Sequence, residues 1–207
     1  MHARLTVVSV FGHGDGSSAI PAIVRSVREL PGSRGLLLSP RRPAQLAACV
    51  RWRPIDPLTY QQYSIFVMHC LHAFIETDFC LVVQEDGWVL DGRNMREDHY
   101  SFDYIGAPCH AAIVGDQYVT GFRWVGDETA TVVQNGGFSL RSRRFLEAPA
   151  SLGMAYAPHL PPPLTNEDIQ LTGIMRPHLE AAGLKFAPLS IAREFAIEYL
   201  EIGRAHV

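Results

Sequence analysis

A chain of 207 residues is long enough to bury one sizeable hydrophobic core, and 47% apolar with 19% charged residues is typical of an α/β enzyme. The formal net charge of −3 provides no basic surface, so we expect neither nucleic acid nor an anionic membrane as a partner. No apolar run reaches the roughly 18 residues of a membrane span, and the N-terminus shows no apolar leader. The sequence therefore predicts a cytoplasmic protein without an integral membrane segment.

The four cysteines are scattered along the chain without Cys-x-x-Cys spacing. They lie partly within apolar segments, at Cys49, Cys70, Cys80 and Cys109. Disulfide frameworks and zinc ribbons need cysteines at characteristic spacings, whereas isolated thiols in apolar runs are typical of a reduced core. The pattern predicts free cysteines packed in the interior.

Strand-like and helix-like segments alternate from the N-terminus. A β-like run at 4–10 and a glycine-rich loop at 11–18 lead into a helical stretch at 19–30. The later candidate elements, in chain order, lie at 35–40, 62–77, 79–83, 102–108, 130–142 and 167–183. Alternation of this kind predicts a mostly parallel sheet covered by helices on both faces.

The glycine-rich loop is the first candidate for ligand binding. Gly12, Gly14 and Gly16 could form a phosphate cradle at a helix start. Ser17 stands where the dinucleotide fingerprint needs its third glycine, which argues against an NAD site. The sequence favours an ordinary strand-to-helix turn over a phosphate cradle, although Asp15 and Ser17 could still line a nucleotide pocket.

Two histidines on the second helical stretch suggest a metal site. His69 and His72 are three residues apart and so share a helix face. No acidic residue lies near them in this apolar segment, so the sequence favours ordinary packed histidines.

An acidic pair follows a short, nearly continuous apolar run of the kind that a buried strand shows. Glu85 and Asp86 follow the apolar run that ends at Val83. Carboxylates inside a sheet core would cost several kcal/mol, so we expect them at the carboxyl end of the strand, where open α/β sheets bind ligands. The alternative is that they only begin a polar turn at Gly87.

The segment "VVQNGGFSL" has a structural and a functional interpretation. Asn135 and Gly136 between two β-like runs are typical of a type I′ hairpin turn. Gly137 and Phe138 would equally suit a ligand, because a bare backbone permits close approach and an aromatic ring offers a stacking face.

The segment "LTNEDIQL" also has two interpretations. Thr165 as N-cap with Asp168 three residues later resembles a capping box, and acids favour the first turn of a helix. The same rigid placement would let a carboxylate act as a general base.

Five blocks in order resemble one protein family over almost the whole chain: "LVVQEDGWVLDG", "FDYIGAP", "NGGFSLRSRRFLEA", "NEDIQL" and "LKFAPLSIAREFAIE". The family is an uncharacterised group of glycosyltransferase-like proteins, a domain of unknown function related to the GT-A nucleotide-sugar transferases. The resemblance implies a single α/β domain over 1–201 with a GT-A-like mixed, mostly parallel sheet flanked by helices.

The resemblance also implies roles for the candidate residues. Glu85 and Asp86 would hold a divalent ion, Mn²⁺ or Mg²⁺, although Gly87 replaces the second acid of the usual Asp-x-Asp element. Asp168, or else Glu167, would be the catalytic base. The residues implied to bind the nucleotide or substrate are Gly12, Asp15, Gln84, Trp88, Asn135, Gly136, Gly137 and Phe138.

The implied reaction is transfer of a sugar from a nucleoside-diphosphate sugar to an unknown glycan or small-molecule acceptor, with inversion and with a divalent metal. One alternative is a sugar nucleotidyltransferase, which would need a basic residue at the triphosphate; the loop "GHGDGSS" has no Lys or Arg. Another is a non-catalytic module that binds sugar nucleotide or glycan on a degenerate GT-A scaffold.

The last residues suggest a non-native end. The segment "EIGRAHV" is what one reading frame of a common sequencing adapter encodes, so we expect residues 202–207 to be an adapter-derived tail and the domain to be truncated at its C-terminus. His206 is accordingly not counted as the C-terminal metal ligand that GT-A enzymes often carry.

Overall fold

The computed structural model describes residue 2, residues 4–121 and residues 130–197. The expected tail at 202–207 lies outside the described residues. The strands are β1 Leu5–Val10, β2 Arg34–Ser39, β3 Val50–Pro54, β4 Phe79–Val82, β5 Tyr104–Val114, β6 Gln117–Thr120 and β7 Ala130–Ser142. The α-helices are α1 Ile20–Glu29, α2 Tyr60–His69, α3 Arg143–Ser151, α4 Glu167–Ile169, α5 Arg176–Ala181 and α6 Leu189–Phe195.

The seven strands form one mixed sheet in the order β3-β2-β1-β4-β7-β5-β6. The four strands from β3 to β4 pair in parallel, whereas β7 runs antiparallel to both of its neighbours and β6 runs antiparallel to β5. Five strands therefore point in one direction and two, β6 and β7, in the other. The predicted α/β fold, with a mixed, mostly parallel sheet flanked by helices, is confirmed.

The central strands are buried on both faces, which explains their continuous apolar runs. All six residues of β1 are buried, and so are the last three of β4. On one face of β1, Val7 packs in a cluster with Ile23 of α1, and on the other face Val8 packs with Val67 of α2. Helices on opposite faces of a parallel sheet remove both faces from water.

The hairpin predicted at Asn135 and Gly136 is wrong. Both residues lie inside β7, which continues without a turn, and neither Gly136 nor Gly137 has a positive φ. The pairing of β7 with β5 is irregular here, with register shifts around Pro108. The Asn-Gly pair therefore lies in a bulged strand rather than in a turn.

The cysteines and histidines are only partly as predicted. All four cysteines are free, and Cys80 is buried, but Cys49 and Cys70 are exposed rather than in the core. Among the described residues no group of three or more His, Cys, Asp or Glu side chains could hold a metal ion. Burial lowers the pKa of His69, as expected for a packed histidine.

None of the helices in the described part of the chain has the length and apolar content to span a bilayer.

Candidate functional site

The acidic turn lies directly beyond the carboxyl end of β4. The N–H of Val83 still donates to the carbonyl of Val8 at 2.9 Å, and the chain then leaves the sheet. The N–H of Gly87 donates to the carbonyl of Gln84 at 3.2 Å and closes the turn. Glu85 and Asp86 are exposed at its tip. The acids thus lie beyond the carboxyl end of a parallel strand, as predicted.

A first cavity of about 380 Å³ lies between the acidic turn, the loop after β1 and the start of α2. Its lining residues are Ser9, Val10, Phe11, Gly12, His13, Leu58, Thr59, Tyr60, Tyr63, Gln84, Glu85 and Asp86. At its base the N–H of Leu58 donates to the carbonyl of Gly12 at 2.7 Å. The cavity brings Gly12 together with Gln84 and the acidic pair, which lie far from it in sequence.

A capping box fixes the start of α2 at this cavity. The Thr59 hydroxyl accepts the N–H of Gln62 at 3.3 Å, and the N–H of Thr59 donates to the side chain of Gln62 at 2.8 Å. The helix begins at Tyr60, and Tyr63 lines the cavity together with Gln84. These two tyrosines form the cavity wall opposite the glycine loop.

Asp15 does not reach the first cavity. Its carboxylate accepts the N–H of Ser17 at 3.1 Å, and hydrogen bonds from Ser17 lower the pKa of Asp15. Gly14 and Gly16 have φ of 70° and 68°, which explains two of the three glycines as turn residues. The structure thus brings Gly12 but not Asp15 to the other candidates.

A basic residue lies beside the glycine loop although the loop itself contains none. The N–H of Arg41, from the segment after β2, donates to the carbonyl of Gly14 at 3.2 Å. A Cβ placed on Gly14 would lie 3.9 Å from the Arg41 guanidinium, which also lowers the pKa of Asp15. The absence of Lys and Arg from "GHGDGSS" therefore does not exclude triphosphate binding, since Arg41 of another loop lies beside Gly14.

A second cavity of about 350 Å³ lies on the other side of the acidic turn, against α6. Its lining residues are Asp86, Gly87, Trp88, Val89, Leu90, Asp91, Asn94, Met95, Ala107, Asn135, Phe138, Glu194, Phe195, Ala196 and Ile197. Asp86 lines both cavities. The predicted candidates Trp88, Asn135 and Phe138 line this second cavity, so the turn that carries Asp86 separates two groups of candidates.

Close packing explains why two glycines follow Asn135. A Cβ on Gly136 would lie 2.9 Å from the Arg141 guanidinium and 3.0 Å from the Asp168 Cβ. A Cβ on Gly137 would lie 2.5 Å from the side-chain oxygen of Gln84. This stretch of β7 therefore passes between the start of α4 and the acidic turn, and it has no space for side chains.

The Asn135 side chain shapes the same stretch. Its carbonyl oxygen accepts the N–H of Gly137 at 2.6 Å and that of Phe138 at 3.3 Å. The amide is thus used to hold the irregular strand, and it also contributes to the wall of the second cavity.

Two acids at the start of α4 have different environments. Glu167 is buried and forms an ion pair with Arg141, Oε1 to Nη2, at 3.0 Å. Arg141 is completely buried and also donates to the Gly136 carbonyl at 3.1 Å and the Ser139 hydroxyl at 2.9 Å. The Glu167 carboxylate is therefore engaged by a fixed cation in a buried network.

Asp168 is half-buried, and its carboxylate is held by two backbone donors. Oδ2 accepts the N–H of Gly136 at 3.1 Å and Oδ1 accepts the N–H of Ile169 at 2.8 Å. Burial, followed by the charge of Glu167, raises the pKa of Asp168 to about 7 from its usual 3.8. A carboxyl group that titrates near neutral pH can take up and release a proton under physiological conditions.

The capping box predicted at Thr165 is wrong. The residue before α4 is Asn166, and it makes no side-chain capping bond. Asn166 instead accepts a hydrogen bond from the Tyr60 hydroxyl at 2.9 Å, which links the start of α4 to the first cavity. A π-helical turn at Gln170–Ile174 follows at once, and such turns are frequent near functional sites. Asp168 is therefore placed by β7 rather than by a cap.

The acidic turn suits a metal ion only in combination with a ligand. Glu85 and Asp86 offer adjacent, exposed carboxylate oxygens of the type that Mg²⁺ and Mn²⁺ prefer. Magnesium sites commonly use one or two carboxylates together with substrate phosphates. The residues present fit an ion that is bound jointly with a phosphorylated ligand.

Arg141 and the two cavity tyrosines are functional candidates that sequence reasoning missed. The Thr-x-x-Gln signature at Thr59 was available as a capping box and would have placed the start of α2. Arg141 within the apolar strand "FSLRS" was a signal for a buried ion pair, but its partner Glu167 is 26 residues away.

Comparisons with known proteins identify a family. A family described as "Protein of unknown function (DUF5672)" matches residues 59–204. No curated protein matches the chain.

Distant similarities connect this chain to several solved structures. One is to a CMP:2-keto-3-deoxy-manno-octonic acid synthetase complexed with CTP, with 12% identity, a TM-score of 0.46 and coverage of 88% of each chain. Another is to 4-diphosphocytidyl-2C-methyl-D-erythritol synthase from Anaerococcus prevotii, with 7% identity, a TM-score of 0.47 and coverage of 89% of this chain and 87% of that one.

Proposed function

The chain belongs to this DUF5672 family, and we propose that it is a glycosyltransferase that uses a nucleoside-diphosphate sugar. In this proposal the first cavity takes the nucleotide, the turn with Glu85 and Asp86 takes the diphosphate with a divalent ion, and Asp168 is the base. The alternative of a non-catalytic sugar-nucleotide module shares the first two assignments and lacks the third.

One observation carries the proposal. Gly136 is held by the Asp168 carboxylate, and the next residue, Gly137, lies against Gln84 of the acidic turn. Two glycines therefore connect a carboxyl group whose pKa is about 7 to a pair of exposed carboxylates at the sheet edge. A proton acceptor beside a diphosphate-binding turn is the arrangement that sugar transfer requires.

The chemistry assigned to these residues balances in one displacement. Asp168 in its ionised form accepts the proton of an acceptor hydroxyl, and that oxygen forms a bond to the anomeric carbon of the donor. The bond from the anomeric carbon to the diphosphate oxygen breaks, and its electron pair leaves with the nucleoside diphosphate. A divalent ion at Glu85 and Asp86 would offset the charge that develops on this leaving group. A single base gives inversion at the anomeric carbon.

The environment of Asp168 supports the role of base over that of Glu167. A general base works best when its pKa lies near the operating pH, and Asp168 meets this condition. Two backbone N–H groups fix the carboxylate, so its direction does not depend on a flexible side chain. Glu167 supports Asp168 indirectly, because its ion pair with Arg141 limits the negative charge at this point.

A second candidate is a nucleotidyltransferase that makes an activated sugar. Arg41 beside the glycine loop favours it, because a cation at this loop is what a nucleoside triphosphate needs. In this case the sugar phosphate would attack the α-phosphate, and pyrophosphate would leave.

Calorimetric titration of UDP, GDP and CTP, each with and without Mn²⁺, distinguishes these functions. The transferase proposal predicts metal-dependent binding of a nucleoside diphosphate that disappears in Asp86→Ala. Tighter binding of CTP, lost in Arg41→Ala, would favour the nucleotidyltransferase. If the folded protein binds none of the three nucleotides, the proposal is wrong.

A further inference from the structure

The second cavity differs in character from the first. Aromatic and aliphatic side chains form most of its wall, and the rings of Phe138 and Phe195 lie 5.7 Å apart between centroids. Leu90 and Ile197 at its edge stay exposed, at 50% and 43% of their surface. Large apolar side chains left open to solvent around a concave site usually mark a place where an apolar ligand group binds.

The charged residues of this cavity are all acidic. Asp86, Asp91 and Glu194 line it, and its described lining contains no Lys, Arg or His. Asp91 is neutralised by Arg93 at 2.6 Å and Glu194 by Arg96 at 2.8 Å, while Asp86 forms no ion pair among the described residues. A cavity with this charge distribution disfavours an anionic ligand.

The cavity is connected to Asp168 through the backbone of β7. Asn135 forms part of its wall, and the following residue, Gly136, donates its N–H to Asp168. Asp86 borders the cavity on the side of the acidic turn. Asp168 lines neither cavity, so the hydroxyl group of a molecule bound here would have to reach past Gly136 to meet it.

We propose that the second cavity is the acceptor subsite, and that it takes an uncharged acceptor with an aromatic or alkyl portion and a free hydroxyl group. This inference rests on the proposed transferase function for the identity of the site, but its ligand chemistry follows from the cavity alone. The apolar portion packs between Phe138, Phe195 and Leu90. The hydroxyl group points toward Asn135 and the strand that holds Asp168.

Three glucosides that differ only in the aglycone test the ligand class. Phenyl, methyl and 4-carboxyphenyl β-D-glucopyranoside are titrated into the protein without nucleotide. The phenyl compound should bind about tenfold tighter than the methyl compound, because burial of one ring is worth this much. The 4-carboxyphenyl compound should bind more weakly than the phenyl compound, because its charge is repelled by Asp86, the acid of this lining that no described Arg neutralises.

Variants locate the effect. Phe195→Ala should remove the preference for phenyl over methyl. Because Phe195 also packs against the core, Leu90→Lys provides a second variant at an exposed position. It should strengthen binding of the 4-carboxyphenyl compound relative to the phenyl compound. Leu152→Lys, at an exposed leucine outside both cavities, is the matched control and should change neither ratio.

The results separate this inference from the proposed function. Equal affinity for phenyl and methyl glucoside, or the same ratios in Leu90→Lys and Leu152→Lys, would overturn the acceptor class. If this happens while a nucleoside diphosphate binds with Mn²⁺, the transferase proposal stands and only the inference fails. If the glucoside pattern holds but no nucleotide binds, the cavity is an apolar-glycoside site in a protein with another function.

Discussion

Glu85–Asp86 and Glu167–Asp168 are both adjacent acidic pairs, and both lie at the same end of the sheet, but their surroundings are opposite. The first pair is exposed at the tip of a turn after β4. In the second pair Glu167 is buried against Arg141, and Asp168 is half-buried with its pKa raised to about 7. Exposure leaves the carboxylates of the first pair open to cations from solvent, whereas burial raises the pKa of Asp168 toward neutral pH.

Solvent exposure and neighbouring charges, rather than the residue type, therefore determine what each carboxylate can do. In the first pair each carboxylate meets water, so an ion can replace water molecules at little cost. In the second pair Arg141 neutralises Glu167. When Asp168 takes up a proton, Arg141 therefore still has Glu167 as its partner, and no unpaired cation is left buried.

The largest effect is expected from removing one carboxylate charge from each pair in turn. Asp168→Asn should slow turnover of the donor by about 10²–10⁴-fold, because the base is lost, and should leave binding of the Mn²⁺–nucleotide unchanged. Asp86→Asn should weaken that binding. Initial rates and calorimetry on both variants measure this, and full activity in Asp168→Asn would exclude it as the base.

Removing the buried cation should come next in size. Arg141→Met leaves Glu167 without a partner and should lower the free energy of unfolding by about 3–5 kcal/mol. Urea denaturation measures the change. Arg34→Met, at an exposed pair with Glu76, is the control and should have little effect.

A double variant sharpens this test. Arg141→Met combined with Glu167→Gln removes both charges and should recover part of the loss, because no unpaired buried charge remains. If Arg141→Met unfolds no more easily than Arg34→Met, the buried pair does not support the start of α4.

A smaller effect is expected at the strand between the pairs. Gly136→Ala should lower the free energy of unfolding by about 1–3 kcal/mol, because its Cβ would meet Arg141 and Asp168 in a fully packed region. Gly87→Ala is the matched control, since its Cβ would lie 3.7 Å from Phe138, an ordinary contact distance. Equal melting temperatures for the two variants would contradict the close approach.

The smallest effect tests the exposed pair. Gly87→Asp should tighten Mn²⁺ binding by at least about threefold, because it adds a third carboxylate where there is room for a side chain. Gly87→Ala controls for the change in backbone freedom. Titration of Mn²⁺ by electron paramagnetic resonance gives the affinities, and identical values for the two variants would mean that this turn does not bind the ion.

The sequence predicted the features that follow from local hydrophobic patterns. The apolar run ending at Val83 was long enough to identify a strand buried on both faces, and this placed Glu85 and Asp86 at the sheet edge. The alternation of strands and helices likewise predicted the sheet. These inferences succeeded because a strand buried on both faces requires an apolar residue at nearly every position, which is visible in the sequence.

The features set by distant contacts were missed or misjudged. Asn135 and Gly136 have the local preferences of a turn, but packing against Arg141, Asp168 and Gln84 determines their conformation. Such contacts leave no periodic signal, because each involves one residue from a separate element.

The pKa of Asp168 tests the central contrast most directly. Asp168 can be followed through the ¹³C shift of its carboxyl carbon during a pH titration, with Asp168→Asn used to assign the signal. The account predicts a midpoint near pH 7, and a higher midpoint in Arg141→Met, because the Arg141 charge lowers the pKa of Asp168. A midpoint near the ordinary value of 3.8 would contradict the claim that burial has prepared this carboxyl group for proton transfer.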